Sequence, residues 1–168
     1  MEPLTGERVV LRPLGEGDRD EVRRVLADPS VARWWGPGGL ETRLDEMFTD
    51  DGTERFVILV DGRVGGTVQF AEENEPDYRH AGLDIFLDAD HQGAGYGVDA
   101  LRTLARYLIA ERGHHRLTID PSAANERAIL AYAKVGFRPV GTMRRYERGP
   151  DGTFHDGLLM DLLADELR

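Results

Sequence analysis

Asp90-His91-Gln92-Gly93-Ala94-Gly95-Tyr96-Gly97 lies just past the middle of the 168-residue chain, between an extended apolar run and an amphipathic helical pattern. Three glycines in five positions let a backbone approach a ligand closely and adopt left-handed angles. The amides at the head of the following helix then converge on one spot, where the helix dipole favours an anion, and a pyrophosphate fits there. A dinucleotide fold would need G-x-G-x-x-G near the chain start and an acidic residue about 20 positions on. A nucleotide-triphosphate loop would need Gly-Lys-Ser/Thr. Neither pattern is present.

The helix after this turn places Val98, Leu101, Leu104, Ala105, Leu108 and Ile109 on one stripe and ends at Gly113. Before the turn, Ala81–Leu87 reads as a strand, and Phe56–Val60 and Val64–Phe70 flank Asp61-Gly62 as a hairpin. Near the chain start, Arg8–Leu14 is a strand. Asp18-Arg19-Asp20-Glu21 has capping-box form and opens a helix that Pro29 stops, and Leu40–Phe48 is a second short helix. Downstream, Leu117–Ile119 is a strand, Asn125–Val135 a helix closed by Gly136, and Phe137–Met143 pairs with Phe154–Leu162. The expectation is one α/β domain over 1–168, its mixed, mostly antiparallel sheet of about six or seven strands flanked by about four helices.

Composition excludes several chemistries. The chain has no cysteine, which removes disulfides, thiol nucleophiles and cysteine metal sites. The five histidines form no HExxH-type pair, so no metal is expected, and His114 and His115 after Gly113 read as solvated turn residues. Met1–Leu14 carries several charges and the purest apolar run is Phe56–Val60, so no leader and no membrane span are expected, and a cytoplasmic location follows as the default. The net charge of −10 is concentrated: residues 41–90 hold 14 acidic and 4 basic side chains, and the rest of the chain balances. That field opposes nucleic acid and suits a cationic small molecule.

Two motifs together carry a resemblance. Gln92-x-x-Gly95-x-Gly97 and the downstream pair Asp120-Pro121-Ser122-Ala123-Ala124-Asn125-Glu126-Arg127-Ala128-Ile129 and Tyr132-Ala133-Lys134-Val135-Gly136-Phe137 resemble the GNAT superfamily of N-acyltransferases over nearly the whole chain. The resemblance implies acetyl-CoA as co-substrate. It assigns Ile85, Phe86 and Leu87 to the pantetheine arm, Gln92, Gly93, Ala94, Gly95, Tyr96 and Gly97 to the pyrophosphate, and Asn125 to the cofactor arm. A plain helix cap is an alternative role for Asn125.

Acetyl transfer to an amine needs a proton acceptor for the amine and a partner for the departing thiolate. Tyr132 matches the superfamily's candidate acid; a core tyrosine is the alternative. Asp84 interrupts the strand Ala81–Leu87, where a lone carboxylate must face solvent or a cleft, and it is the candidate base. Val31-Ala32-Arg33-Trp34-Trp35-Gly36, Gly82-Leu83-Asp84 and Asp120-Pro121-Ser122 are similar to the aminoglycoside 6′-N-acetyltransferases. That likeness implies an acceptor cleft holding Trp34 or Trp35, Asp84 and Asp120, with the acidic run before the strand, Glu72 and Glu73 first, drawing in a cation. The stretch Arg144–Met160 is instead similar to ribosomal-protein N-terminal acetyltransferases, which keeps a peptide α-amine as an alternative acceptor, beside a siderophore-precursor amine. Both a monomer and a homodimer remain open.

Overall fold

The computed structural model describes residues 1–34 and 38–168, so Trp35 lies outside the described residues. Eight strands form one sheet: β1 (Leu4–Thr5), β2 (Val10–Pro13), β3 (Glu54–Val60), β4 (Arg63–Glu73), β5 (His80–Leu87), β6 (Arg116–Ile119), β7 (Arg138–Arg148) and β8 (Phe154–Leu163). Their order is β1-β2-β3-β4-β5-β6-β8-β7. All neighbours are antiparallel except β5 and β6, which run parallel. Five helices are described: α1 (Arg19–Ala27), α2 (Pro29–Ala32), α3 (Gly39–Met47), α4 (Tyr96–Ala110) and α5 (Glu126–Val135). The mixed α/β class holds, with eight strands in place of six or seven and five helices in place of four.

The extra elements have local causes. β1 is two residues long and leaves no periodic signature. Pro29 stops α1 as expected, yet it also opens α2 at the first helical position, where its missing N–H costs nothing. Asp28 caps that helix, its carboxylate accepting from Ser30 N at 2.9 Å. Asp18 does not cap α1. It receives the Arg12 guanidinium at 2.6 and 3.0 Å and the Gly15 amide at 2.9 Å.

Strand alternation separates two apolar layers. Phe56, Ile58, Val68, Phe70 and Leu83 meet Leu101, Leu104 and Leu108 of α4 and Val135 of α5 on one face. Val57 and Val64 meet Val22, Val25, Leu26, Leu44 and Met47 of α1 and α3 on the other. Asp61 and Gly62 close the β3–β4 hairpin with φ of 49° and 77°, the left-handed pair that an Asp-Gly turn favours.

Two features set up the site. Asp99, buried in α4, accepts from the amides of Glu7, Arg8 and Val9 at 3.2, 2.8 and 3.0 Å, so it pins the chain entering β2 to the central helix. The parallel pair stops early: β5 meets β6 only from Ala81 to Leu83, and Asp84–Leu87 continue with β4 alone as partner. The sheet is therefore split at Asp84. Among the described residues no helix is long and apolar enough to cross a membrane.

Candidate active site

The split opens into a cleft of about 1360 Å³ whose walls come from β5, the 92–97 turn, α2, α5, the segment after β6, and β7. Ile85, Phe86 and Leu87 line it, as do Gln92, Gly93, Gly95, Gly97 and Asn125.

Gly93 and Gly95 take φ of 76° and 88°, so the turn requires glycine at both positions. Gly95 caps α4 and accepts the Asp99 amide at 3.0 Å. The first-turn amides of Tyr96, Gly97 and Val98 precede that bond and have no helical partner. Added bulk would press on neighbouring side chains here. A Cβ on Gly93 would stand 2.9 Å from Arg127 Nη2, and one on Gly97 would stand 3.2 Å from Leu87 Cδ1. The cradle therefore fits a diphosphate approached by backbone.

Not every residue of the turn faces the cleft. The Ala94 carbonyl accepts the Arg8 guanidinium, and the Tyr96 ring lies 4.3 Å beneath Arg8 and edge-on to His91. Neither lines the cleft; both hold the turn from behind. The Gln92 amide is likewise engaged by protein: its Nε2 donates to Ser30 Oγ at 2.8 Å and to the Leu87 carbonyl at 2.7 Å. Its Oε1 accepts from Arg127 Nη1 at 3.0 Å. Arg127 is thus held beside Gly93 and supplies a cation at the cradle. Asn125 does cap α5, accepting from Ala128 N at 3.3 Å, while it also borders the cleft.

Asp84 and Tyr132 both line the cleft. The Asp84 carboxylate reaches the cleft interior and accepts the Ile85 amide at 2.9 Å. Its side chain is open to the solvent of the cleft, yet the density of protein around it and the charges of Asp120 and Glu147 disfavour its ionised form. Together these push its carboxyl up to about 6. Tyr132 is 8% exposed, with its ring T-shaped against Phe137 at 6.4 Å. Burial, then the charges of Asp84 and Asp120, raises its phenol well above the ordinary tyrosine range, so it keeps its proton.

Asp120 follows β6 and accepts the Tyr146 hydroxyl at 2.7 Å. That bond to an anion, with burial behind it, pushes Tyr146 up to about 12. Glu147, the next residue, also lines the cleft; burial and Asp120 raise it, while Arg43 and His155 act in the other direction. Tyr146, Glu147 and Arg127 were not singled out from the sequence. Only the location of Tyr146 and Glu147 in the Arg144–Met160 stretch hinted at the first two.

Other expected substrate residues separate. Trp34 lines the cleft with the Arg33 guanidinium 4.6 Å over its ring. Glu72 and Glu73 do not line it. Glu72 pairs with Arg112, its Oε2 against Nη2 at 2.5 Å, and its Oε1 lies 2.7 Å from His114 Nε2. Glu73 accepts the Glu75 amide at 2.8 Å. His114 itself is 1% exposed, so the solvated-turn expectation is overturned for it: Glu72 gives it a buried partner.

A Gly-rich turn at a helix head, a strand edge left open by a split sheet, and a carboxylate and a buried phenol at the split frame the comparison with known proteins. The profile of the acetyltransferase (GNAT) domain matches residues 8–138. The chain belongs to the GNAT acetyltransferase family. GNAT enzymes take their acetyl group from acetyl-CoA, and this chain is an N-acetyltransferase. It is 29% identical over 141 residues to spermidine N(1)-acetyltransferase of Escherichia coli K12, covering 80% of this chain and 75% of that protein. It is 27% identical over 170 residues to aminoglycoside N(6′)-acetyltransferase type 1 of Klebsiella pneumoniae, covering 88% and 81%. The GNAT fold is shared with Mycobacterium smegmatis RimJ, solved with CoA-disulfide, at a TM-score of 0.84 and 24% identity over 99% of this chain and 88% of that one.

Proposed function

We propose that this acetyltransferase acetylates an amine of a cationic small molecule, the 6′-amine of an aminoglycoside, in keeping with the motifs it shares with the aminoglycoside 6′-N-acetyltransferases. The observation that carries the reading is the carboxylate of Asp84 at the mouth of the sheet split, with Asp120 and Glu147 close enough to raise it. Three carboxylates beside the reaction point favour a cationic acceptor and repel an anionic one. Both named relatives act on polycations, which supports the same class.

The pyrophosphate of acetyl-CoA would be held by the first-turn amides of α4 and by Arg127, with the pantetheine arm along Ile85–Leu87. The acceptor ammonium would lose a proton to Asp84, directly or through water. The freed nitrogen lone pair attacks the thioester carbonyl carbon, and the C–S bond breaks as the N–C bond is made. Tyr132 donates its proton to the leaving sulfur, so the coenzyme departs as a thiol; the second proton, shed by the acylated nitrogen, returns through water to the Tyr132 phenolate, and Asp84 releases the first to solvent. A carboxyl near 6 is ionised at neutral pH yet basic enough to take up a proton. The role needs no metal.

Thiol release from acetyl-CoA on adding kanamycin-type antibiotics tests the reading, with spermidine and an Ala-starting peptide in the same panel. Antibiotic turnover faster than that of the other two supports it. A peptide acetylated fastest would transfer the assignment to an N-terminal α-amine. Silence across the antibiotics would remove the aminoglycoside.

A further inference from the structure

β7 does not run evenly along β8. Met143 pairs with Gly157 and Glu147 pairs with His155, so three residues of β7 stand against one of β8. Within this bulge Arg145 takes a φ of 48°, unusual for a side-chain-bearing residue, and its amide donates to Asp156 Oδ1 at 2.8 Å. Bulges re-aim side chains, and this one turns Tyr146 back over the sheet.

Because the strand order is β6-β8-β7, Tyr146 reaches Asp120 only by crossing β8. The residue it crosses is Gly157, and a Cβ there would stand 2.9 Å from Tyr146 Cδ1. The other side of the contact is equally fixed. Ser122 bridges to Gly157, Leu158 N donates to the Pro121 carbonyl at 2.9 Å, and Ala123 N donates to the Asp156 carbonyl at 2.9 Å. The segment carrying Asp120 is therefore stapled to β8, and the phenol holds its carboxylate at 2.7 Å. Glu147 follows directly and faces the same cleft, with Asp120, Arg43, His155 and Asp84 as its charged neighbours.

We infer that Tyr146 is a positioning residue for acceptor specificity: it fixes Asp120 beside Glu147 so that this pair receives a second ammonium group of the acceptor, the one not acetylated. The inference rests on the cationic-amine reading above and narrows it to acceptors with two or more cationic centres. Asp84 serves the reacting amine. Tyr146 leaves one Asp120 oxygen free for the second, and a monoamine would leave that pair unmatched.

The test uses the full chain with kanamycin A, spermidine, 1,4-diaminobutane and n-butylamine in the thiol-release assay. The unaltered enzyme is expected to favour the diamine over n-butylamine by about tenfold or more in kcat/KM, since a charged hydrogen-bonded contact is worth about 1.5–3 kcal/mol. Tyr146→Phe removes only the hydroxyl. It should raise the KM of the best polycationic acceptor about tenfold while changing kcat by no more than about twofold. Glu147→Gln should do the same, and Gly157→Ala, which crowds the Tyr146 ring, should follow Tyr146→Phe. A protein that is merely loosened would instead lose kcat for every amine alike. Unchanged KM in both Tyr146→Phe and Glu147→Gln, or a diamine no better than n-butylamine, would overturn the inference and leave the cationic-amine reading standing. An unaltered enzyme that acetylates no amine at all removes both, and does so before any variant is made.

Discussion

Asp84 lies on β5 and Asp120 directly follows β6, the two strands that part company at the sheet split, and the charge of Asp120 helps hold the Asp84 carboxyl up to about 6. The split that exposes the β5 edge thus also brings together the charges that set this carboxyl.

The first prediction is the pH dependence of turnover. With a saturating amine, kcat should rise as pH climbs through about 6, because only ionised Asp84 accepts a proton. Removing the neighbouring charge in Asp120→Asn should move this limb to lower pH, since repulsion no longer opposes ionisation. Asp84→Asn should lower kcat about 100-fold or more without moving the coenzyme A affinity read by calorimetry.

The same shift has a stability consequence. The folded Asp84 carboxyl lies above its unfolded value, so the native state holds more protons between about 4 and 6, and stability falls as pH rises through that window. Asp84→Asn should therefore melt above the unaltered protein at pH 8, with the gap narrowing toward pH 5. A gap that does not change with pH would show that the Asp84 carboxyl is not raised in the folded protein.

Tyr132→Phe should lower kcat about 10- to 100-fold with the acceptor KM little changed, the pattern of an interaction made in the transition state. Because the phenol is raised far above neutrality, no alkaline limb below about pH 10 should disappear with it. Comparing the kcat profiles of the two proteins across pH 6–10 checks both statements.

Gly95→Ala should weaken coenzyme A binding. Its φ of 88° is strained for any side chain, and the new Cβ would meet Arg8 Nη1 at 3.2 Å. About 1 kcal/mol or more of strain is expected at such a position. Calorimetry should find lower affinity for coenzyme A together with a lower melting temperature.

Glu72→Gln tests the corrected role of that residue. Burial pushes the Glu72 carboxyl up, but Arg112 and His114 outweigh it and leave the group below its ordinary value. A lowered carboxyl adds stability at neutral pH that is lost on acidification. The variant should lose about 1–3 kcal/mol in denaturant unfolding at pH 7, with a smaller loss at pH 4 and an unaltered acceptor KM.

Much of this was legible in the chain. The long period of α4, the Asp61-Gly62 turn and the 93–97 glycines each announce themselves locally, because amphipathic spacing and left-handed turns leave residue-type signatures. Asp84 stood out as a charge in an apolar strand. What escaped depends on register between distant strands. The β7 bulge that delivers Tyr146 and Glu147 is a mismatch with β8, and nothing in Arg144-Arg145-Tyr146 reveals it. Glu72 looked like part of a substrate-steering acidic run. Pairing β4 with β5 sets it against Ala81, three rungs along from the Gln69–Asp84 rung, where Arg112 and His114 occupy it.

The triple grip of Asp99 on the amides of Glu7, Arg8 and Val9 makes the chain's opening residues part of the donor site's foundation. A deletion that reached Val9 would strand a buried carboxylate inside the helix whose head we propose as the diphosphate cradle, and would also free Ala94 from Arg8. Trimming this protein from the front would then be felt first as a slackened hold on its coenzyme, some ninety residues away along the polypeptide.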